Sequence, residues 1–217
     1  MMPTDTLSRA RILARIRAGL DRPAPRHAGG GPQEIFAPVG DPLDRFQREC
    51  AINGTECAVV PGWVAGSRTL AALIESLPAG EIYLQDAPLT RRLMEKNEST
   101  RAMRWSSDGA PRESSQATIT LAEALVADTG SVFVASSGGG RAGSIIAPVH
   151  IVLAEVSQLA LNLEGAFARL RSGGADLANS MLCLITGSSR TGDIEKILVM
   201  GAHGPRRLVV VLSQRTE

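Results

Sequence analysis

Hydrophobic and polar positions change period several times along this chain, and each change marks an element. Over residues 6–20, Ile12, Leu13, Ile16 and Leu20 recur at helical spacing among Arg9, Arg11, Arg15 and Arg17, which predicts an amphipathic helix. Residues 21–40 hold Pro23, Pro25, Pro32, Pro38 and a glycine run, the composition of a linker. From residue 41 short branched-apolar runs alternate with helical patterns. Asp41 as cap and Pro42 in the first turn open a helix through about Ile52. A strand over 57–60, a helix over 67–77 capped by Ser67, a strand over 82–84 and a helix near 88–96 follow. A polar, irregular stretch, 105–117, precedes a strand at 118–121, a helical turn at 123–126, and strands at 131–135 and 150–155. Residues 157–171 form the clearest helical pattern, with Leu159, Leu163, Ala166, Phe167 and Leu170 on one face and Gly173 and Gly174 as its stop. Two branched runs, 181–186 and 208–212, read as buried strands.

Strands alternating with helices predict an α/β fold, a largely parallel sheet covered on both faces. The expected organisation is an N-terminal helix over 1–20, a linker over 21–40 and an α/β domain over 41–217. The first helix fits two roles equally, docking on a partner or second subunit, or packing on its own domain. A homo-oligomer is compatible with the first.

Composition sharpens this picture. In 217 residues, 44% are apolar and only 3% aromatic, so Val, Ile, Leu and Ala must fill the core. The net charge of +1 removes the electrostatic case for a nucleic-acid partner. No apolar run approaches the ~20 residues that span a bilayer. The arginine-rich start is reminiscent of a transit peptide, against which Asp5 and Asp21 count. Cys50, Cys57 and Cys183 form no C-x-x-C pair, so no metal, cluster or other cofactor is expected. Three cysteines without a secretory segment point to a reducing, cytoplasmic compartment.

Candidate chemistry gathers in the loops 187–193 and 201–207, on the expectation that ligands lie beyond the carboxyl ends of strands. Gly187, Ser188, Ser189, Arg190 and Thr191 would bind an anion at a strand-to-helix turn, with amides and hydroxyls donating and Arg190 clamping. Ordinary helix capping is the competing reading. Asp193 and Glu195 would repel an anion unless they orient Arg190 or act as acid–base groups. In the second loop, His203 is a candidate for proton transfer beside Gly204 and Arg206, or else a turn histidine bonded to a carbonyl. Asp128, in the Asp128-Thr129-Gly130 turn, could face His150, while each taken alone suits a structural role. The run GGGRAG at 138–143 matches a dinucleotide loop, but Pro148 leaves no room for the helix that such a loop requires.

Four segments carry a more specific signal together: ADTGSVFV at 127–134, SIIAPVHIVL at 144–153, TGSSRTGDIE at 186–195 and MGAHGPRRLVVVL at 200–212. In order and spacing they resemble the LUD-domain family of lactate utilization protein C (LutC/YkgG-like). That resemblance implies a three-layer α/β/α fold of the NagB/RpiA/CoA-transferase-like type. It also implies a part in oxidising L-lactate to pyruvate beside iron–sulfur partner proteins. Asp128 stands where the family usually has Glu in an E-T-G turn. The expectation is a subunit that binds a small anionic ligand through 187–191, with His150 and His203 for proton transfer and Asp128 as orienting group or base. Two alternatives stay open: a non-catalytic assembly or regulatory protein for those partners, and a stand-alone CoA-transferase- or isomerase-like enzyme.

Overall fold

Capping chemistry sets where the α/β body begins. Asp41 accepts hydrogen bonds from the backbone N–H groups of Leu43 and Asp44 at 2.7 and 3.0 Å, and Pro42 takes the first helical position. The structure is a computed structural model that describes residues 4–20, 40–95, 99–136, 142–172, 181–192, 198–200 and 204–215. Its chain divides into two units, Met1–Ala37 with helix α1 (Thr4–Leu20), and Pro38–Glu217 with every other element.

The second unit runs α2 (Pro42–Ile52), β1 (Thr55–Val60), α3 (Trp63–Ser76), β2 (Glu81–Leu84), α4 (Pro88–Glu95), β3 (Met103–Trp105) and β4 (Ser115–Leu121). There follow β5 (Ala124–Val126), β6 (Ser131–Ala135), β7 (Val149–Glu155), β8 (Leu159–Ala160) and α5 (Leu163–Ser172). It ends with β9 (Leu182–Ile185), β10 (Arg190–Gly192), β11 (Leu198–Met200) and β12 (Arg207–Ser213). Six strands make a wholly parallel sheet in the order β1-β12-β7-β4-β2-β3. A second sheet, β8-β5-β6-β9, is mixed, and β10 and β11 pair antiparallel by themselves.

Strand alternation sends Val209, Val211, Ile151 and Leu153 to one face of the main sheet, where Leu70 and Ile74 of α3 and Leu93 of α4 cover them. Leu208, Val210, Leu212, Val152 and Ala154 go to the other face, under Phe46 and Cys50 of α2 and Leu125, Val132 and Val134 of the second sheet. Helix α5 packs Ala166 and Leu170 on the far side of that second sheet, against Ala124, Val126 and Phe133. The α/β/α arrangement expected from the sequence therefore holds, with a β-sheet inserted under one outer layer.

Several local expectations need correction. The helical pattern at 157–171 is a 3-10 turn, the short strand β8 and only then α5. Gln158 explains the break: its Oε1 accepts from Glu155 N at 2.7 Å and its Nε2 donates to Ala122 O at 2.6 Å. Asn162 then accepts from Gly165 N at 2.9 Å and starts the helix afresh. The supposed helical turn at 123–126 is β5, paired antiparallel with β6. Ser67 is no cap, because α3 starts four residues earlier behind Gly62 and the Ser67 hydroxyl donates to Val64 O at 2.9 Å. The stretch 105–117 loses its ends to β3 and β4. The stop at Gly173 and Gly174, most of the linker and residues 138–141 of the glycine run lie outside the described residues. No described helix is long and apolar enough to cross a membrane.

The turn between β5 and β6 touches α2 at Gly130, where φ is +61° and an added Cβ would lie 2.6 Å from Cys50 N and 2.7 Å from the Glu49 carbonyl carbon. Backbone cannot yield as a side-chain tip can. Gly130→Ala is expected to lose about 2–4 kcal/mol of stability, from overpacking and a left-handed backbone together. Urea denaturation against Gly40→Ala, where a Cβ meets nothing within 4 Å, measures it.

Candidate functional site

Parallel register places four side chains in one row across the main sheet. Thr55 on β1 lies opposite Leu208 on β12, Leu208 opposite His150 on β7, and His150 opposite Thr118 on β4. All four belong to the face turned toward the second sheet. Cys183 and Ile185, the residues of β9 that pack toward that face, lie above the row. Ser144 and Ile145, from the turn before β7, close one side, and Gly187, Ser189, Gly204 and Pro205 close another. Together with Leu208 and His150 they enclose a cleft of about 120 Å³. No acidic or cationic side chain lines it among the described residues.

His150 sits at the floor and is fully buried. Its Nε2 is hydrogen-bonded to Thr120 Oγ1 at 2.8 Å, while Nδ1 has no partner among the described residues. Loss of hydration on burial pushes the imidazole down from 6.5 to about 4, so it is neutral at pH 7. Thr55 Oγ1 and Thr118 Oγ1, in the same row, are likewise buried without a partner. Burial also raises the Cys183 thiol above its ordinary value.

The two loops singled out in the sequence do meet. Ser189 N donates to Pro205 O at 2.8 Å, and Gly204 lies so close to Ser189 that a Cβ would stand 3.1 Å from the serine's own. Arg206 N donates to Pro148 O at 2.8 Å, and its side chain is exposed. The strand-to-helix turn expected at 187–191 is instead a strand-to-hairpin turn, because Arg190 and Thr191 open β10 and pair with β11. Among the described residues no helix N-terminus is therefore aimed at the loop. Arg190 does not line the cleft; its Nη2 donates to Asn53 O at 2.8 Å. Ser188 is buried beside the cleft without lining it. Asp193, Glu195 and His203 lie outside the described residues.

Asp128 is in the β5–β6 turn, nearly buried, with its N donating to Leu161 O at 3.1 Å and Oδ1 without a partner among the described residues. It does not line the cleft that His150 floors. Its turn is built into the fold: Asn53 Nδ2 donates to Thr129 O at 2.9 Å, and hydroxyls run from Thr129 through Ser131 to Thr186 at 2.7 and 2.6 Å.

The cleft opens at the amino ends of the main strands, since His150 and Leu208 are each the second residue of their strand. The expected carboxyl edge is occupied by internal pairs. Trp63 Nε1 donates to Glu155 at 3.2 Å, and Arg91 both pairs with Asp86 at 2.7 Å and stacks on Trp105 at 3.9 Å. Sequence reasoning missed Ser144 and Cys183 in the lining, and Thr118 and Thr120 beside His150. The two threonines were findable, as a polar-apolar-polar alternation inside a strand otherwise fit for burial. Among the described residues no group of His, Cys, Asp and Glu is arranged to hold a metal ion.

His150 makes stability depend on pH. Unfolded, it titrates near its ordinary value; folded, near 4, so the unfolded chain binds more protons between the two. Its contribution is whole above that window and is lost as pH falls through it. Lowering pH from 7 to 5 is expected to cost about 2 kcal/mol through this residue alone. Denaturation of the wild type and His150→Gln at several pH values checks this, the variant showing the shallower slope.

Comparisons with known proteins agree on the matched region. Residues 112–213 match the LUD domain family model. A lactate utilization protein C from Geobacillus sp. strain WCH70 is 26% identical over 186 residues, 78% of this chain and 77% of that protein. Lactate utilization protein C of Bacillus subtilis strain 168 is 29% identical over 124 residues, 54% of this chain and 52% of its own length. That of Macrococcus caseolyticus is 31% identical over 97 residues, covering 43% and 42%. Among solved structures, a DUF162 family protein from Deinococcus radiodurans superposes with a TM-score of 0.61 at 17% identity, over 81% of this chain and 99% of that one, a likeness of fold. These matches show a family-level association of the chain with the LUD domain and with lactate utilization protein C-like proteins.

Proposed function

We propose that this protein is a subunit of a lactate-utilization system, acting in the oxidation of L-lactate to pyruvate beside iron–sulfur partner proteins, and that it binds a small anionic ligand over the cleft. One observation carries the binding part: the loops at 187–190 and 204–206, distant in sequence, are bonded to each other at the mouth of a cleft within the family-matched segment. In this reading the amides and hydroxyls of Gly187, Ser189 and Gly204 face the anionic group, Ser188 and Thr191 belong to the same loop by sequence, and Arg190 and Arg206 supply positive charge at the rim. His203, Asp193 and Glu195 belong to the same loops by sequence. His150 serves from the floor as a neutral hydrogen-bonding group, and Asp128 acts on the ligand only through the turn that it occupies. Electron transfer falls to the partners. A NagB/RpiA/CoA-transferase-like ancestry is part of the proposal, supported by the six-stranded parallel sheet with helices outside. A cytoplasmic location is supported by three cysteines that are all unpaired.

Thermal unfolding in the presence of L-lactate, pyruvate and inorganic phosphate tests the reading. An anion that binds, present at about 100 times its Kd, should add roughly 2.7 kcal/mol of apparent stability. Arg206→Ala, an exposed change, should reduce that gain while leaving the unliganded melting temperature alone. Absence of stabilisation by every anion rejects the binding site.

A further inference from the structure

Five buried side-chain N or O atoms have no hydrogen-bond partner among the described residues, and three of them, Thr55 Oγ1, His150 Nδ1 and Thr118 Oγ1, fall in one row of the main sheet. Buried polar atoms are ordinarily satisfied; of these three only His150 lines the cleft, with Thr118 next to it in the row, and this adjacent pair of exceptions calls for a partner from outside the chain. The walls limit what that partner is. Ile145, Cys183, Ile185, Pro205 and Leu208 are apolar or weakly polar, and no described lining residue is charged. A carboxylate or phosphate on the floor would be stripped of water without a counter-charge. A hydrocarbon would leave His150 and Thr118 as they are. An uncharged oxygen satisfies both: a neutral imidazole nitrogen and a hydroxyl between them can accept from and donate to an alcohol, or donate to a carbonyl.

We infer that the cleft takes the uncharged, oxygen-bearing end of a small organic molecule, a ketone, aldehyde or alcohol carbon on a short aliphatic arm, with its oxygen on His150 Nδ1 and Thr118 Oγ1. Any charge that the molecule carries stays outside, at the loops; this last clause alone rests on the proposed anion site. The ring is held for the purpose, since Thr120 fixes Nε2 and leaves only Nδ1 to the ligand. Cys183, on the opposite wall, provides a built-in reporter.

The full chain is titrated with butan-2-one and butan-2-ol, and with sodium acetate as the charged control. Two signals are followed: alkylation of Cys183 by iodoacetamide, mapped by mass spectrometry, and the imidazole 15N resonances, with His150 assigned by His150→Gln. Both neutral probes should slow Cys183 alkylation and move the His150 Nδ1 resonance, and acetate should do neither. Thr118→Val keeps the side-chain shape and removes one unsatisfied hydroxyl. It should raise the melting temperature of the ligand-free protein and weaken protection by the neutral probes about five- to tenfold, the worth of one hydrogen bond. The inference is overturned if neither neutral probe acts, if acetate acts equally well, or if Thr118→Val protects as the wild type does. A crystal structure with probe present that retains a water between His150 and Thr118 overturns it too. Anion-dependent stabilisation and its loss in Arg206→Ala are read separately, so failure at the floor and failure at the mouth are told apart.

Discussion

Backbone-to-backbone contact at two glycines holds the second sheet against the rest of the unit. At Gly130 the β5–β6 turn lies on the last turn of α2, and at Gly187 the end of β9 lies on Asn53, where a Cβ would stand 2.5 Å from the carbonyl oxygen. Both glycines have positive φ, so each position excludes other residues twice over, by conformation and by space. Asn53 is the common point. Its side chain donates to Thr129 O and its carbonyl accepts from Arg190, so one residue after α2 locks the turn, the strand end and the hairpin together. Every wall of the cleft that comes from β9 or from the 187–190 loop is placed through that junction.

The same junction explains why the cleft lies at the amino edge of the main sheet. Open parallel sheets bind ligands at their carboxyl edge when crossover helices part there. Here the chain leaving β4 and β7 does not go directly into a covering helix but first builds a second sheet over the face. That sheet seals the middle of the face with Leu125, Val132 and Val134 and stops short at β9, its outermost strand. The gap beneath β9 is the cleft. Near its mouth, Arg207 grips Glu56 with two hydrogen bonds at 2.6 and 2.8 Å, and this pairing holds the Glu56 carboxyl below its ordinary range. Arg207 is therefore occupied in joining β12 to β1, and Arg206 is the neighbour with its side chain exposed.

How legible each element was in the sequence tracks how local its causes are. Helix α2 was readable because Asp41 and Pro42 act within one turn, and β7 and β12 because their stretches 151–154 and 208–212, buried on both faces, are apolar. Reading failed where a distant partner outvotes the local pattern. Leu159 has helical spacing to Leu163 yet pairs as a strand beside Leu125, since Gln158 is drawn away to Ala122. The candidate site divides in the same way. Glycine, serine and arginine in 187–191 marked a loop with chemistry, but whether a helix or a hairpin followed depended on β11, which lies beyond the loop itself.

By itself the sequence determined the class of fold, most element positions, the resemblance to the LUD domain and where the candidate loops around 187 and 204 lie in the chain. Those properties follow from periodicity, capping and motif, all of which act over a few residues. Only the tertiary structure decided that His150 lines a cleft while Asp128 does not, that Arg190 turns to Asn53, and that Thr118 stands beside His150 while Thr120 holds its ring. Register between strands far apart in the chain sets those relations, and register is chosen by the packing of two whole sheets, which no single stretch of residues encodes.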